Sequence, residues 1–147
     1  MYLRWMASGL LFLARIALAA ILLLSACAKL RNPVMFLESV YLYELLGPGG
    51  AFFVALFLPP LEFVLAIALL LDCFALGAAL TSTILGVAFL VAQLSALHRG
   101  LSISCGCFGG AIYDEVGLTT LLRALMVVIL GAAMVVLRDC GKLANVR

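Results

Sequence analysis

Four long apolar stretches constrain the fold of this chain more than any other feature of its sequence. They occupy residues 8–28, 51–71, 74–97 and 118–137, and each is close to the roughly 20 helical residues that cross the hydrocarbon core of a bilayer. The 147-residue chain is 67% hydrophobic and 11% charged, whereas soluble domains average about 25% charged. We therefore predict an all-α integral membrane protein, a four-helix bundle that forms a single transmembrane domain over residues 1–147, with no soluble domain.

A short helix is predicted between the first and second spans. Asn32 suits the N-cap of this helix and Pro33 its first position. The helix is predicted to continue to Leu46, where the run Gly47-Pro48-Gly49-Gly50 stops it. Its aromatic residues are typical of a helix at the level of the lipid headgroups. One interpretation is therefore a helix with a purely structural role at the membrane interface. The alternative is that this helix walls a cavity beneath the loop of residues 98–117.

Basic residues near the ends of the spans favour a cytoplasmic location for both termini. The side with the termini carries Arg4, Arg138, Lys142 and Arg147, and the opposite side carries Lys29, Arg31 and Arg99. We predict a multi-pass protein of the bacterial inner membrane, with the loop of residues 98–117 outside the cytoplasm, where disulfides persist. The net charge of +2 is small and scattered, so no nucleic-acid partner is expected.

Two cysteines one residue apart mark this loop, in the run Cys105-Gly106-Cys107-Phe108-Gly109. A disulfide between them closes a small ring, and the glycine between them lacks the Cβ that would resist such a tight path. Strained, exposed disulfides tend to be the labile and catalytic ones. The pair is therefore predicted to be redox-active, while a static staple and a metal site stay open as alternatives.

Three basic side chains could activate this pair. A nearby cation lowers the pKa of a thiol, and His98, Arg99 and Arg123 lie within plausible reach of the loop. Because His98 is the one histidine in the sequence, a four-ligand zinc site would need it together with Cys105, Cys107 and Cys27. We expect no metal.

The other cysteines permit a second idea. Cys27 lies on the same side as the pair and could resolve or relay its disulfide, although the run Leu24-Ser25-Ala26-Cys27 also resembles the acylation site of bacterial lipoproteins. Cys73 and Cys140 lie at the opposite face. Two thiol sets on two faces would suit a transmembrane electron carrier, whereas isolated cysteines more often serve as small apolar residues.

Ionisable residues inside the spans indicate function, because a charge in hydrocarbon is costly and usually faces the bundle interior. Arg15 and Glu62 are at similar depths, so a buried ion pair between them is the structural interpretation. The functional interpretation makes Glu62 a proton acceptor beside a redox cofactor, in a helix that Pro59-Pro60 loosens. Arg123 either stabilises a thiolate or a cofactor headgroup, or extends to the membrane interface.

The chain resembles the MauE/DoxX family of small four-helix redox-associated membrane proteins, and specifically its MauE branch, named from methylamine utilisation. The resemblance covers nearly the whole chain and rests most strongly on the cysteine loop in a four-span frame. Its motifs are Ala28-Lys29-Leu30-Arg31-Asn32-Pro33 with Phe36, Tyr43-Glu44-Leu45-Leu46, Leu58-Pro59-Pro60-Leu61-Glu62, Cys105-Gly106-Cys107-Phe108-Gly109, and Arg123. The chain departs from the family pattern at Ala124, where a polar residue is frequent, and in having Cys27, Cys73 and Cys140.

This resemblance implies quinone-coupled oxidation of sulfur compounds, through the DoxD/DoxX relatives, and thiol–disulfide exchange with a protein, through the MauE members. We therefore predict a thiol–disulfide oxidoreductase, or a subunit of one, that passes electrons between a thioredoxin-like or disulfide-containing extracytoplasmic partner and a membrane quinone. Two alternatives stay open. One is a non-catalytic scaffold in an oligomer or hetero-complex, with a structural disulfide, and the other is a transmembrane thiol carrier.

Overall fold

The fold was analysed in a computed structural model, which describes the backbone of residues 2–101 and 118–144 and the side chains of residues 9–101 and 118–138. This part of the chain is entirely helical apart from its connections. The helices are α1 (Tyr2–Arg31), α2 (Pro33–Leu42), α3 (Pro48–Leu70), α4 (Ala75–His98) and α5 (Leu118–Ala144). The predicted all-α class is thereby confirmed.

Four of these helices are long and apolar enough to cross a membrane. Their apolar spans are Gly9–Arg31, Pro48–Leu70, Ala75–His98 and Leu118–Arg138, and each bound lies within three residues of the sequence-based one. The short apolar helix α2 follows the first span, as predicted. It ends at Leu42 and not at Leu46, because the backbone turns left-handed at Glu44, and the run from Gly47 to Gly50 caps and begins α3. The protein is therefore a multi-pass helical membrane protein with a short helix between its first two spans.

The bundle is built from two tightly packed helix pairs. Helix α1 packs mainly on α3, and α4 packs mainly on α5, while α1 also touches α5 and α3 also touches α4. The core between them consists of small and aliphatic side chains, among which Leu18, Ala66 and Ala79 are fully buried. Because consecutive spans alternate in direction, the end of α1, the end of α4 and the start of α5 share one end of the bundle, which we call the loop end.

Small residues let α4 and α5 approach closely. The sequence places Ala78, Ser82 and Gly86 every four residues on one face of α4, and all three are buried. A Cβ added at Gly86 would lie 2.9 Å from Val128 Cγ2, and one added at Gly131 would lie 3.1 Å from the carbonyl oxygen of Ala79. Close backbone contact at small side chains is the usual way in which transmembrane helices associate.

Helix α3 continues through two consecutive prolines, Pro59 and Pro60. Since proline has no N–H, the carbonyls of Ala55 and Leu56 lose their normal partners four residues later. Such a defect is tolerated in a membrane where neighbouring protein groups surround it. Glu62 follows within one turn and is buried, so the irregular part of α3 adjoins the polar interior described below.

Helix α2 packs against α3 and buries Phe36 and Ser39. Pro33 occupies its first turn as predicted, but the side chain of Asn32, at the N-cap position, makes no capping hydrogen bond. Ser39 instead satisfies its own hydroxyl by donating to the carbonyl oxygen of Met35 over 2.9 Å. The inner face of α2 therefore contributes to the bundle, as the cavity-wall alternative requires.

Candidate functional site

A buried ion pair lies in the interior of the bundle. Lys29 Nζ of α1 is 2.6 Å from Oε1 and 2.7 Å from Oε2 of Glu62 on α3. Lys29 also donates to Ser25 Oγ over 2.9 Å, and Ser25 donates to Glu62 Oε2 over 3.1 Å. Lys29 is 1% exposed and Glu62 is 3% exposed, so both charges are removed from solvent and from lipid.

Two aromatic rings flank the ammonium group. Lys29 Nζ lies 5.2 Å from the ring centroid of Phe36 on α2 and 4.8 Å from that of Phe89 on α4. Both distances are within the range of cation–π attraction, which is stronger where water is absent. The lysine is thus held by one carboxylate, one hydroxyl and two ring faces, contributed by four different helices.

The pair lines a small cavity of about 80 Å³ between the four spans, and the surface of this cavity is mainly apolar. At about 30 Å³ for each water in the liquid, such a volume has room for roughly two or three water molecules. Gln93 of α4 is 1% exposed and Thr120 of α5 is fully buried. The polar side chains of this cavity, which we call the central cavity, are Ser25, Lys29, Glu62, Gln93, Thr120 and Arg123.

An apolar groove of about 310 Å³ adjoins the central cavity. It lies between α2, α3 and α4, and Phe89 lines both spaces. Its lining includes Tyr43, which is 8% exposed and whose hydroxyl makes no hydrogen bond to any residue that the structure describes. Burial raises the pKa of Tyr43 to about 12, so this phenol stays protonated and able to donate at physiological pH.

Arg99 holds the connection between α2 and α3 against the end of α4. Its Nη2 donates to the carbonyl oxygen of Tyr43, and its Nη1 lies 3.8 Å from Glu44 Oε2. Glu44 has a left-handed backbone with φ of 50°. His98, the preceding residue, is exposed. Both predicted cations lie at the loop end, and neither lines the central cavity.

A second ionic cluster lies at the other end of the bundle, where α3 turns into α4. Arg15 Nη1 is 2.9 Å and Arg138 Nη2 is 2.5 Å from Oδ1 of Asp72. The side chain of Asp72 is 48% exposed. A hydrogen bond from Arg15 holds the pKa of Asp72 below its usual value, and the charge of Arg138 acts in the same direction.

Two predicted site residues come together, and one predicted contact is wrong. Glu62 and Arg123 line the same cavity. Glu62 does not pair with Arg15, because Lys29 binds it and Arg15 binds Asp72. Similar depth did not identify the partner of Glu62, because α1 continues as a helix to Arg31 and Lys29 lies inside the bundle.

The cysteines are placed as follows. Cys105 and Cys107 lie outside the described residues, as does the side chain of Cys140. Cys27 is a half-buried free thiol near the loop end of α1, and Cys73 is an exposed free thiol in the turn after α3. The segment with the Cys-Gly-Cys pair therefore leaves α4 and rejoins α5 at the same end of the bundle as Cys27.

Lys29 is a residue of the candidate site that was not predicted from the sequence, because it was counted only among the basic residues outside the first span. A signal was present. Leu18, Leu22 and Ser25 are followed by Lys29 at spacings of four, three and four, so all of them share one helical face. Leu18 and Leu22 are core residues, and this pattern could have placed the lysine in the interior.

No cluster of three or more His, Cys, Asp or Glu side chains occurs within residues 9–101 and 118–138. The expectation that the protein binds no metal remains a prediction.

The fold and the site together define the class of protein: a polytopic helical membrane protein whose four spans enclose a buried, hydrogen-bonded ion pair. Residues 7–137 match the family described as methylamine utilisation protein MauE, so the chain belongs to the MauE family, as its motifs predicted. The methylamine utilization protein MauE of Paracoccus denitrificans is 31% identical over 125 residues, which cover 84% of this chain and 67% of that protein. No solved structure matches this chain.

Proposed function

We propose that this protein is the membrane component of a thiol–disulfide redox system that serves methylamine utilisation. Cys105 and Cys107 form a disulfide that exchanges with a dithiol of an extracytoplasmic protein. The partner loses two electrons and two protons and gains a disulfide, while Cys105 and Cys107 become thiols. A membrane quinone then accepts two electrons and two protons and restores the disulfide.

One observation carries this proposal, the Lys29–Glu62 pair inside the bundle. A buried ion pair is a poor source of stability, because the cost of removing both charges from water offsets their attraction. Ionisable groups in membrane interiors commonly mark proton or substrate paths. The pair opens on a cavity with room for water at the end of the bundle from which the Cys-Gly-Cys segment extends.

Proton handling is the proposed role of the central cavity. Oxidation of a dithiol releases two protons for every two electrons, so the reaction needs a group that accepts a proton and passes it on. Glu62, held by Lys29 and Ser25, is the proposed acceptor. Arg123 lines the same cavity and belongs to α5, the helix that follows the cysteine segment in the sequence. This position suits its guanidinium group to stabilise a thiolate or a polar headgroup.

The residues present also fit a quinone ring. The central cavity is small, but the adjoining groove of about 310 Å³ reaches the range of small-molecule sites, about 300–1,000 Å³. The groove has aromatic walls and one buried hydroxyl, that of Tyr43, with no partner among the described residues. Tyr43 would donate to a ring carbonyl, with Phe36 and Phe89 beside it. A bound quinone would supply two-electron acceptor chemistry.

The proposed orientation has both termini in the cytoplasm of a bacterium and the protein in its inner membrane. Burial of Lys29 in an ion pair supports it, because this residue no longer acts as a basic group at the loop end. When Lys29 is left out, the basic residues near the ends of the spans favour a cytoplasmic location for the termini more strongly than when it is included. A thioredoxin-like partner would then meet Cys105 and Cys107 outside the cytoplasm.

Trapping of free thiols in intact membranes tests the function. A mass-tagged alkylating reagent is applied after exposure to an oxidised or a reduced quinone analogue, with wild type, Cys105→Ala, Cys107→Ala and the matched control Cys73→Ala. We expect the fraction of Cys105 and Cys107 trapped as free thiols to differ between the oxidised and the reduced quinone analogue. Cys73→Ala should behave as wild type. A pair that stays oxidised under every quinone condition would refute redox cycling and favour the scaffold alternative. Loss of cycling in Cys73→Ala would instead indicate a transmembrane thiol carrier.

Binding of a quinone analogue tests the groove separately. We expect Tyr43→Phe to weaken binding by up to about tenfold, which is the net contribution of one hydrogen bond of about 0.5–1.5 kcal/mol. Tyr41→Phe is the matched control, because Tyr41 is exposed and donates to the carbonyl oxygen of Pro48. Equal affinity of the two variants would contradict the assignment of Tyr43.

A further inference from the structure

The ionic cluster at the end of the bundle opposite the loop end borders a cavity of about 270 Å³ between α1 and α5. The lining residues are Leu11, Phe12, Arg15, Asp72, Met134 and Arg138. Arg138 is the last residue of the fourth apolar span, and Asp72 follows the second. The cavity therefore lies where a transmembrane bundle meets the headgroup region.

Among the side chains that the structure describes, the charges in this cavity are not balanced. Arg15 and Arg138 both bind the same oxygen of Asp72, Oδ1, so two guanidinium groups share one carboxylate and leave one positive charge. Each guanidinium has five N–H donors. Arg15 Nε is buried and makes no hydrogen bond to the residues that the structure describes. The cluster thus has both the charge and the donor capacity for one further anion.

The walls of the cavity are apolar on the lipid side. The guanidinium of Arg15 lies 5.4 Å from the ring centroid of Phe12, and Phe12 is 55% exposed. A ligand at this site would therefore contact positively charged guanidinium groups directly beside an exposed hydrophobic surface. A free anion would use only the first of these features, whereas a phospholipid would use both.

We propose that this cavity, the Arg15–Arg138 site, binds the headgroup of an anionic phospholipid, with its phosphate on the two arginines and an acyl chain along Phe12. Basic pockets between transmembrane helices recognise anionic lipid headgroups in this way. The proposal does not depend on the redox function, because it uses residues at the opposite end of the bundle from the central cavity.

Native mass spectrometry of the purified full-length protein tests the proposal, with phosphatidylglycerol, phosphatidylcholine or inorganic phosphate added. We expect one phosphatidylglycerol to be retained per chain in preference to phosphatidylcholine, and affinity to fall about fivefold for each arginine removed in Arg15→Gln and Arg138→Gln. Arg31→Gln is the matched control, because Arg31 is an exposed arginine at the other end of α1. It should bind as wild type.

A gain-of-affinity variant guards against misfolding of the arginine variants. Asp72→Asn removes the competing carboxylate, so phosphatidylglycerol should bind more tightly than in wild type. Equal retention of phosphatidylcholine and phosphatidylglycerol would overturn the proposal. Displacement of the lipid by inorganic phosphate at equal concentration would show a free-anion site and would also overturn it, as would unchanged binding in Asp72→Asn.

Discussion

Helix α1 contributes to two ionic sites that differ in their location in the bundle and in their exposure. Lys29, near one end, is held by Glu62 in the bundle interior, where the two side chains are 1% and 4% exposed. Arg15, nearer the other end, meets Asp72 and Arg138 at the end of the bundle, where the side chains of Arg15 and Asp72 are 17% and 48% exposed. The same helix therefore carries one charge that is sealed in protein and one that remains near solvent.

This difference separates two uses of charge in a membrane protein. A surface pair contributes little, since water screens it and its long side chains lose entropy. A buried pair brings a large desolvation cost, so that removal of one partner is far more damaging than removal of both. We therefore expect replacement of Asp72 to have little effect on folding, whereas Glu62 and Lys29 must be treated as a unit.

The largest effect is expected from Glu62→Ala, which leaves the buried Lys29 ammonium without a carboxylate. The free energy of unfolding in detergent should fall by about 3–5 kcal/mol, the usual cost of breaking a buried pair. Glu38→Ala is the control, because Glu38 is an exposed carboxylate on α2. If both variants lose less than about 1 kcal/mol, the pair is not sealed as the structure has it.

The double variant Lys29→Met, Glu62→Leu is expected to recover most of this loss, because apolar side chains of similar size often replace a buried pair without cost. Equilibrium unfolding in the same detergent measures the recovery. Under the proposed function, thiol trapping on the same protein should find no quinone-dependent cycling of Cys105 and Cys107. A stable double variant that still cycles would show that the pair takes no part in the redox reaction.

Asp72→Asn should lower the free energy of unfolding by only about 0–1 kcal/mol, since the side chain of Asp72 is 48% exposed and that of Arg138 is 33% exposed. The loss should shrink further in high salt, which screens exposed charges much more than buried ones. Unfolding measured at low and high ionic strength checks both points. A loss as large as that of Glu62→Ala would remove the contrast between the two sites.

The smallest expected effect is a dependence on acidic pH. The arginines hold the folded-state pKa of Asp72 below its usual value of 3.8, so the ionised carboxylate favours the folded state. Its contribution is fully present above the unfolded-state pKa and is lost as the pH falls through the lowered folded-state pKa. The stability difference between wild type and Asp72→Asn should therefore vanish at the acidic end of a titration. A difference that persists there would assign the effect to packing.

The sequence predicted the fold well because its signals are local and strong. The length and apolar character of each span identify a transmembrane helix without knowledge of its neighbours. Pro33 set the start of the short helix by backbone geometry alone. The end was predicted less well, because the run Gly47-Pro48-Gly49-Gly50 begins α3 and the short helix already ends at Leu42. The stripe Ala78, Ser82 and Gly86 similarly indicated where another helix would approach.

The candidate site was predicted only in part because its partners come from different helices. Glu62 and Arg123 were recognised individually, since an ionisable residue in a span is conspicuous. The partner of Glu62 was assigned wrongly, because depth along a helix does not report the rotation of that helix or the reach of a lysine side chain. Tyr43 also gave no sign in the sequence that its hydroxyl would be buried.

The sequence by itself determined that this chain crosses a membrane four times, that α2 lies between the first two spans, and that the chain belongs to the MauE family. Only the tertiary structure decided which charges meet. Hydrophobic length specifies insertion of each helix separately, whereas ion pairing depends on how the inserted helices rotate and pack. Lys29 therefore reached Glu62, and Arg15 reached Asp72, through the packing of α1 against α3.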